Sequence, residues 1–302
     1  DKIEAEYQDL IRQIAYLEDL LANKSKIYGV IKDDLLEVKK LYGDARRSEV
    51  VPDEGEVAIE DLIADRGCII TISHGGYIKR VPVGTYKAQR RGGKGVAGME
   101  TREEDYVEHL FVANTHDYIL FFTAGGRLYW EKVYEIPEAG RTARGKAIVN
   151  LLQLKDDEQI AAMVRVRDFP ESQFLVMATE RGVVKKTRLS EFGNPRRDGI
   201  IAINIDEGDR LIGVKQTDGQ NHLMLATRNG MSLHFSEAEL RGQGRATRGV
   251  RGIRLEAGDT VESLVIVDSK ATFLVCTEHG YGKRTTFDEY RGQHRGGKGI
   301  YS

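Results

Sequence analysis

The chain has 302 residues, 40% of them hydrophobic, enough for more than one ordinary domain and a sizeable buried core. Two cysteines exclude a disulfide-stapled scaffold, and no apolar run is long enough to cross a membrane. The formal net charge of −2 conceals an asymmetry: residues 1–66 carry 10 Lys/Arg against 17 Asp/Glu, whereas the remainder carries 35 against 30.

The first stretch is helical. Ile3, Tyr7, Leu10, Ile14, Leu17 and Leu21 recur in steps of four and three, a heptad seam. Asn23-Lys24-Ser25 interrupts it, a second stripe runs Ile27, Ile31, Leu35, Val38 and Tyr42, and Gly43 is a plausible stop. Residues 1–50 are therefore predicted as a coiled-coil-like tail whose seam wants a partner. Residues 51–60, with Pro52-Asp53-Glu54-Gly55-Glu56, read as an acidic linker. Opening on Asp1 and stopping at Ser302, the chain reads as a piece of something longer.

From about residue 61 to 302 a unit recurs. Aligned on Gly76, Gly126, Gly182, Gly230 and Gly280, the intervals are 50, 56, 48 and 50 residues, a period of propellers and related blade arrays. Three residues before each anchor stands Ser73, Thr123, Thr179, Thr227 or Thr277, preceded by an apolar run such as Ile119 to Phe122. After the anchor come runs such as Tyr77-Ile78-Lys79-Arg80, Val183-Val184-Lys185-Lys186 and Tyr281-Gly282-Lys283-Arg284. The pattern predicts a hairpin with a two-residue turn, clearest at Asn229-Gly230, where both positions tolerate positive φ. Cys68 and Cys276 fall in the apolar runs and are expected in the core. A lone four-stranded sheet cannot cover both its faces, so five such blades are predicted to stack radially.

Nineteen residues beyond most anchors a second glycine follows a cation: Lys94-Gly95, Arg144-Gly145, Arg248-Gly249, Lys298-Gly299. The third unit ends instead in Arg196-Arg197-Asp198-Gly199. The first loop is the most charged, reading Gln89-Arg90-Arg91-Gly92-Gly93-Lys94-Gly95. Its cations can grip phosphate oxygens, and its glycines let backbone N–H groups approach as further donors. No aromatic is interleaved for base stacking and no helix offers a base-reading face, which points to sequence-tolerant contact with a duplex backbone. A nucleotide phosphate loop is a poor fit, because Gly95-Val96 follows Lys94 where Ser or Thr and a helix are needed. Arg141, Arg144, Arg196, Arg197, Arg245, Arg248, Arg295 and Lys298 repeat the charge on later loops, and Lys79, Arg80, Lys185, Lys186, Lys283 and Arg284 add cations after the turns. Cationic loops spaced round a curved body imply wrapping of DNA rather than point contact.

The heptapeptide at 89–95 and the recurring apolar run, Thr, Gly turn and Lys-Lys/Arg resemble the C-terminal domain family of the DNA gyrase A subunit. Leu41-Tyr42-Gly43-Asp44-Ala45-Arg46-Arg47 resembles the exit from that family's breakage–reunion domain. The resemblance implies a mainly β fold, a β-pinwheel of four-stranded blades preceded by the helical coiled-coil segment. It implies that Gln89 to Gly95 form the box needed for chiral wrapping, which leads to negative supercoiling once ATP drives strand passage. Besides double-stranded DNA, the implied partners are a second A subunit, for a paired assembly, together with the gyrase B subunit. ATP and Mg²⁺ would be used by the holoenzyme, with no cofactor in this piece. A bacterial cytoplasm, or an organelle of bacterial origin, is the expected location. Members usually show six blades, of which five are visible here. None of the 13 tyrosines stands in the Arg-Tyr-Thr context of the cleavage domain, so this piece is expected to bend DNA without cutting it. The alternatives are the topoisomerase IV homologue, whose equivalent domain lacks a full box, and a propeller serving as a protein-interaction platform. An independent enzyme finds little support: His74, His109, His116, His222, His234, His279 and His294 lack metal-ligand spacing.

Overall fold

A computed structural model describes residues 2–44, 46, 48, 59–86, 98–99, 105–155, 158–194, 196 and 198–302. The chain forms two compact units, residues 1–57 and 58–302.

The first unit holds α1 (Lys2–Ala22) and α2 (Lys24–Tyr42). Asn23 separates them, its side-chain amide donating to the Asp19 carbonyl and carboxylate at 3.1 and 2.8 Å. The Gly43 amide closes α2 on Lys39 O at 2.9 Å. Neither helix buries a residue, and Ile3, Leu10, Ile14, Leu17 and Leu21 all stand exposed.

The second unit contains β1 (Gly67–Ser73), β2 (Tyr77–Pro82), β3 (Val107–Asn114), β4 (Tyr118–Thr123), β5 (Arg127–Lys132), β6 (Lys146–Ala147), β7 (Ile160–Val166), β8 (Phe174–Thr179) and β9 (Val183–Arg188). It continues through β10 (Ile200–Ile201), β11 (Leu211–Thr217), β12 (His222–Thr227), β13 (Met231–Ser236), β14 (Val250–Arg251), β15 (Val261–Ile266), β16 (Thr272–Cys276), β17 (Gly282–Thr286) and β18 (Ile300–Tyr301). Four antiparallel sheets result, ordered β3-β1-β2-β6, β7-β4-β5-β10, β11-β8-β9-β14 and β15-β12-β13-β18, with β16-β17 as a two-stranded fifth. The fold class matches expectation, but the fifth blade has two strands among the described residues rather than four.

One assembly rule repeats. Each of the first four hairpins is flanked on one side by a long strand that follows it in sequence. The other side is covered by a short strand arriving from the next unit, directly after that unit's basic loop. The registers are copies: Ile78 pairs with Lys146, Leu128 with Ile200, Val184 with Val250 and Ser232 with Ile300. The long strands β7, β11 and β15 touch one another in succession, which places them at the inner side and the short strands at the outer edge.

Both faces of each middle hairpin are buried, which is why the central strands read as unbroken apolar runs rather than alternating ones. Ile119 and Phe121 pack with Ile70, Ile72 and Ile78 of the first blade, while Leu120 and Phe122 pack with Leu175 and Met177 of the third. Val176 meets Leu223 and Leu225 in the next layer, and Met224 meets Phe273 and Phe287 in the last. Cys68 is buried as expected, and burial pushes its thiol up to about 11. Cys276 is exposed, contrary to expectation, because its two-stranded sheet lacks the cover the other four possess.

The turns of the first four hairpins are three residues long, not two. In every unit the anchor glycine N–H donates to the carbonyl of the Ser or Thr three residues earlier at 2.9–3.0 Å, and the glycine alone takes positive φ. Asn229 does not, so the expected Asn-Gly geometry is corrected. The repeated hydroxyl fastens the turn. Ser73, Thr123, Thr179, Thr227 and Thr277 each accept the N–H of the residue after the glycine, at 3.1–3.3 Å. Three turns are capped from outside by an aspartate that stands ten residues after the loop glycine of its unit, a recurrence visible in the sequence. Asp105, Asp209 and Asp259 accept from Gly75, Arg181 and Asn229 at 2.7, 2.9 and 3.0 Å.

Candidate nucleic-acid interface

The second, fourth and fifth basic loops are each positioned by the hairpin of the preceding unit. The second loop runs beside β2, where Arg80 N–H donates to Pro137 O at 3.0 Å and Ala139 N–H to Arg80 O at 3.1 Å. The fourth runs beside β9 through Gln243 N–H to Lys186 O at 2.8 Å, and the fifth beside β13 through Gln293 N–H to His234 O at 2.7 Å. The loop then turns and closes on a glycine. Gly145, Gly199, Gly249 and Gly299 all have φ between 70 and 93°. A Cβ at Gly145, Gly249 or Gly299 would stand 2.4–2.7 Å from a carbonyl of the preceding hairpin, and one at Gly199 would meet the Tyr129 ring at 2.8 Å. The cation-glycine spacing seen in the sequence thus marks where the loop presses against the blade.

Successive loops are joined. Asn204, just beyond β10, donates its backbone N–H to Thr247 O and its side-chain amide to Ala246 O, both at 3.0 Å. Arg254, just beyond β14, donates to Gly297 O at 2.8 Å. The exit from the third loop therefore bonds to the fourth, and the exit from the fourth to the fifth, giving one connected border along the outer edge.

The candidate cations divide into two groups. Arg196, Arg248, Arg295 and Lys298 are exposed on this border and Arg245 is half-buried in it, while Arg141 and Arg144 are half-buried in the second loop. Arg144 lies over the Tyr77 ring at 3.6 Å, and Arg248 pairs with Asp206 while remaining 68% exposed. The Arg295 guanidinium donates to Glu239 O and Arg251 O at 3.2 and 3.3 Å, tying the fifth loop to the fourth unit. Lys283 and Arg284 are exposed on β17. Gln89, Arg90, Arg91, Gly92, Gly93, Lys94, Gly95 and Arg197 lie outside the described residues.

Four cations expected to meet phosphate face inward or are already paired. Lys79 and Lys185 are fully buried. The Lys79 ammonium donates to the carbonyls of Gly140, Arg141 and Ala143, at 3.2 Å and 2.7 Å for the first and last. That of Lys185 donates to Ala202 O at 2.7 Å and to Arg245 O. Burial lowers both, Lys185 to about 8, with Glu191 opposing the shift and Arg245 adding to it. Lys186 is buried against Glu237 at 3.3 Å, whose other contacts are Thr217 Oγ1 at 2.6 Å and Asn221 N–H. Arg80 pairs with Glu138 at 2.8 Å and donates to Ile136 O, leaving 18% of its side chain exposed. These four hold blades together, and their assignment as DNA contacts is withdrawn.

Beside Arg196 a cavity of about 370 Å³ is lined by Trp130, Glu131, Glu135 and Gln153. Burial, reinforced by Glu135, raises the Glu131 carboxyl to about 8. Among the described residues no group of three metal-ligating side chains occurs, and no helix is long and apolar enough to cross a membrane.

The family model described as the DNA gyrase C-terminal domain, beta-propeller, matches residues 69–114, 117–167, 173–218, 221–268 and 271–300. The DNA gyrase A subunit of Halalkalibacterium halodurans is 47% identical over 253 residues, covering 84% of this chain and 30% of that protein. The one from Haemophilus influenzae is likewise 47% identical over 253 residues, covering 84% and 29%. This chain thus spans about 30% of the length of such relatives. Among solved structures, the C-terminal domain of a DNA topoisomerase IV superposes with a TM-score of 0.67 at 28% identity, over 79% of this chain and 73% of that one. A DNA gyrase A C-terminal domain gives 0.65 at 25% identity, over 78% and 76%.

Proposed function

The chain belongs to the DNA gyrase C-terminal β-propeller family, and from that premise we propose that its outer border binds and bends double-stranded DNA. The observation that carries this reading is the connection of the third, fourth and fifth loops into a single edge bearing Arg196, Arg245, Arg248, Arg295 and Lys298. Backbone phosphates are the natural partner of such an edge, since every base sequence presents them alike. Bending a site of 20–30 bp by 40–90° costs roughly 1–6 kcal/mol, an amount that several phosphate contacts with counterion release can offset. Gln89 to Gly95 occupy the same place in the first unit's sequence and carry its densest charge, so they are assigned as the principal contact.

Within the longer protein the wrapped segment would be delivered to a cleavage centre elsewhere, so that ATP-driven strand passage yields negative supercoils. On this reading a second A subunit together with the B subunit completes the enzyme in a bacterial cytoplasm. ATP and Mg²⁺ belong to that assembly, and this chain contributes no cleaving tyrosine.

The test is topological. Nicked circular DNA sealed by ligase in the presence of the chain should show a positive displacement of linking number. Arg90, Arg91 and Lys94 changed together to Ala should remove the displacement while far-UV circular dichroism stays unchanged. Unchanged topoisomers with the wild-type chain would sink the wrapping assignment. The likeness to topoisomerase IV supports a second reading, simple DNA binding without a box-dependent wrap. It requires the wild-type chain to bind duplex DNA while leaving linking number undisplaced.

A further inference from the structure

Lys79 and Lys185 occupy the third position after the anchor glycine in the first and third units. Each is fully buried in its own blade, yet each spends its ammonium on carbonyls of the following unit's basic loop. The carbonyls include those of Arg141 and Arg245, the first cations of the second and fourth loops. Lys185 also holds Ala202 O, on the exit from the third loop, so one ammonium bridges two consecutive loops. A buried carbonyl without a donor is costly, which makes the lysine the partner these loop turns require.

The molecule supplies its own comparison. The equivalent positions in the second and fourth units are Tyr129 and Leu233, which carry no ammonium. The loops they underlie are built differently: Gly199 meets the Tyr129 ring, and Gly297 packs on Leu233 within 3.3 Å of where a Cβ would stand. Where the loop reads Arg-Thr-Ala-Arg-Gly (141–145) or Arg-Ala-Thr-Arg-Gly (245–249), a lysine lies beneath it. Where it reads Arg-Gly-Gly-Lys-Gly (295–299), glycine packing replaces the lysine.

We propose that Lys79 and Lys185 are positioning residues for the basic loops, fixing from inside one blade the attitude in which the next loop's arginines meet phosphate. The idea rests on the border being the DNA-binding edge.

The experiment compares Lys185→Met, Lys79→Met and Arg245→Ala in the full chain. Backbone amide exchange should rise about tenfold or more in residues 243–249 for Lys185→Met and in 140–145 for Lys79→Met, with 293–299 unchanged in both. Arg245→Ala keeps its backbone carbonyl, so its loop should stay protected while DNA affinity falls. Lys185→Met should lose both protection and linking-number displacement. In wild type, the Lys185 side chain should titrate near 8 by NMR, with Glu191 and Arg245 the charged groups that face it. Unchanged exchange in the lysine variants, or a Lys185 titrating like a surface lysine, overturns the hold of these lysines on the loop carbonyls. Lost protection with wild-type displacement overturns the positioning role. A wild-type chain that fails to displace linking number overturns the DNA reading instead, a separate outcome because exchange is measured without DNA.

Discussion

A side chain at Gly249 would meet two penalties together, a φ of 93° and a Cβ 2.7 Å from Val184 O. Gly249→Ala should therefore destabilise the second unit by about 1–3 kcal/mol, read from the denaturant midpoint. Gly242, with nothing within 4 Å of its Cβ position and no positive φ, should accept Ala with little change. Glu131 gives a pH prediction of definite sign. Its folded carboxyl keeps its proton to about 8, the unfolded one only to its ordinary 4.5. The folded state binds the extra proton between those values, so this group's contribution to stability is lost as pH rises across that window. Glu131→Gln should gain stability relative to wild type above pH 8 and show least difference near pH 5, checked by thermal unfolding at both.

At the scale of the hairpin, the hydroxyl before each turn is the element's own fastener. Thr179→Val keeps the shape but removes the acceptor for Val183 N–H, and should cost about 1 kcal/mol in chemical denaturation. That residue was legible because it recurs at a fixed distance from the anchor glycine, and Ile119 to Phe122 were legible because an unbroken apolar run implies cover on both faces. The sheet that β6, β10, β14 and β18 would join was not legible, since two-residue strands carry no periodicity to match. Nor was the role of Lys79. Its partners are backbone carbonyls about sixty residues away, and a carbonyl has no signature in a sequence, whereas the neighbouring pair Lys79-Arg80 looks like any solvent-facing basic cluster. The heptad of α1 predicts a partner for its seam, and among the described residues that seam stands exposed.

For the whole molecule, phosphate binding along a border has a thermodynamic signature separable from a protein-interaction platform. Each neutralised phosphate releases counterions, so log affinity should fall linearly with log salt, with a slope near −0.9 for every phosphate engaged. The exposed cations Arg248, whose guanidinium also pairs with Asp206, and Lys298 should each reduce that slope by about 1 when changed to Ala, for any duplex sequence. Lys186→Met gives the contrast. Its ammonium is committed to Glu237 inside the blade, so the variant leaves a buried carboxylate unpaired and should lower the unfolding midpoint. Measured on whatever fraction stays folded, its salt slope should equal that of wild type. A slope that is flat for the unaltered chain, or that drops for Lys186→Met as much as for Arg248→Ala, would mean that the border cations do not carry the binding.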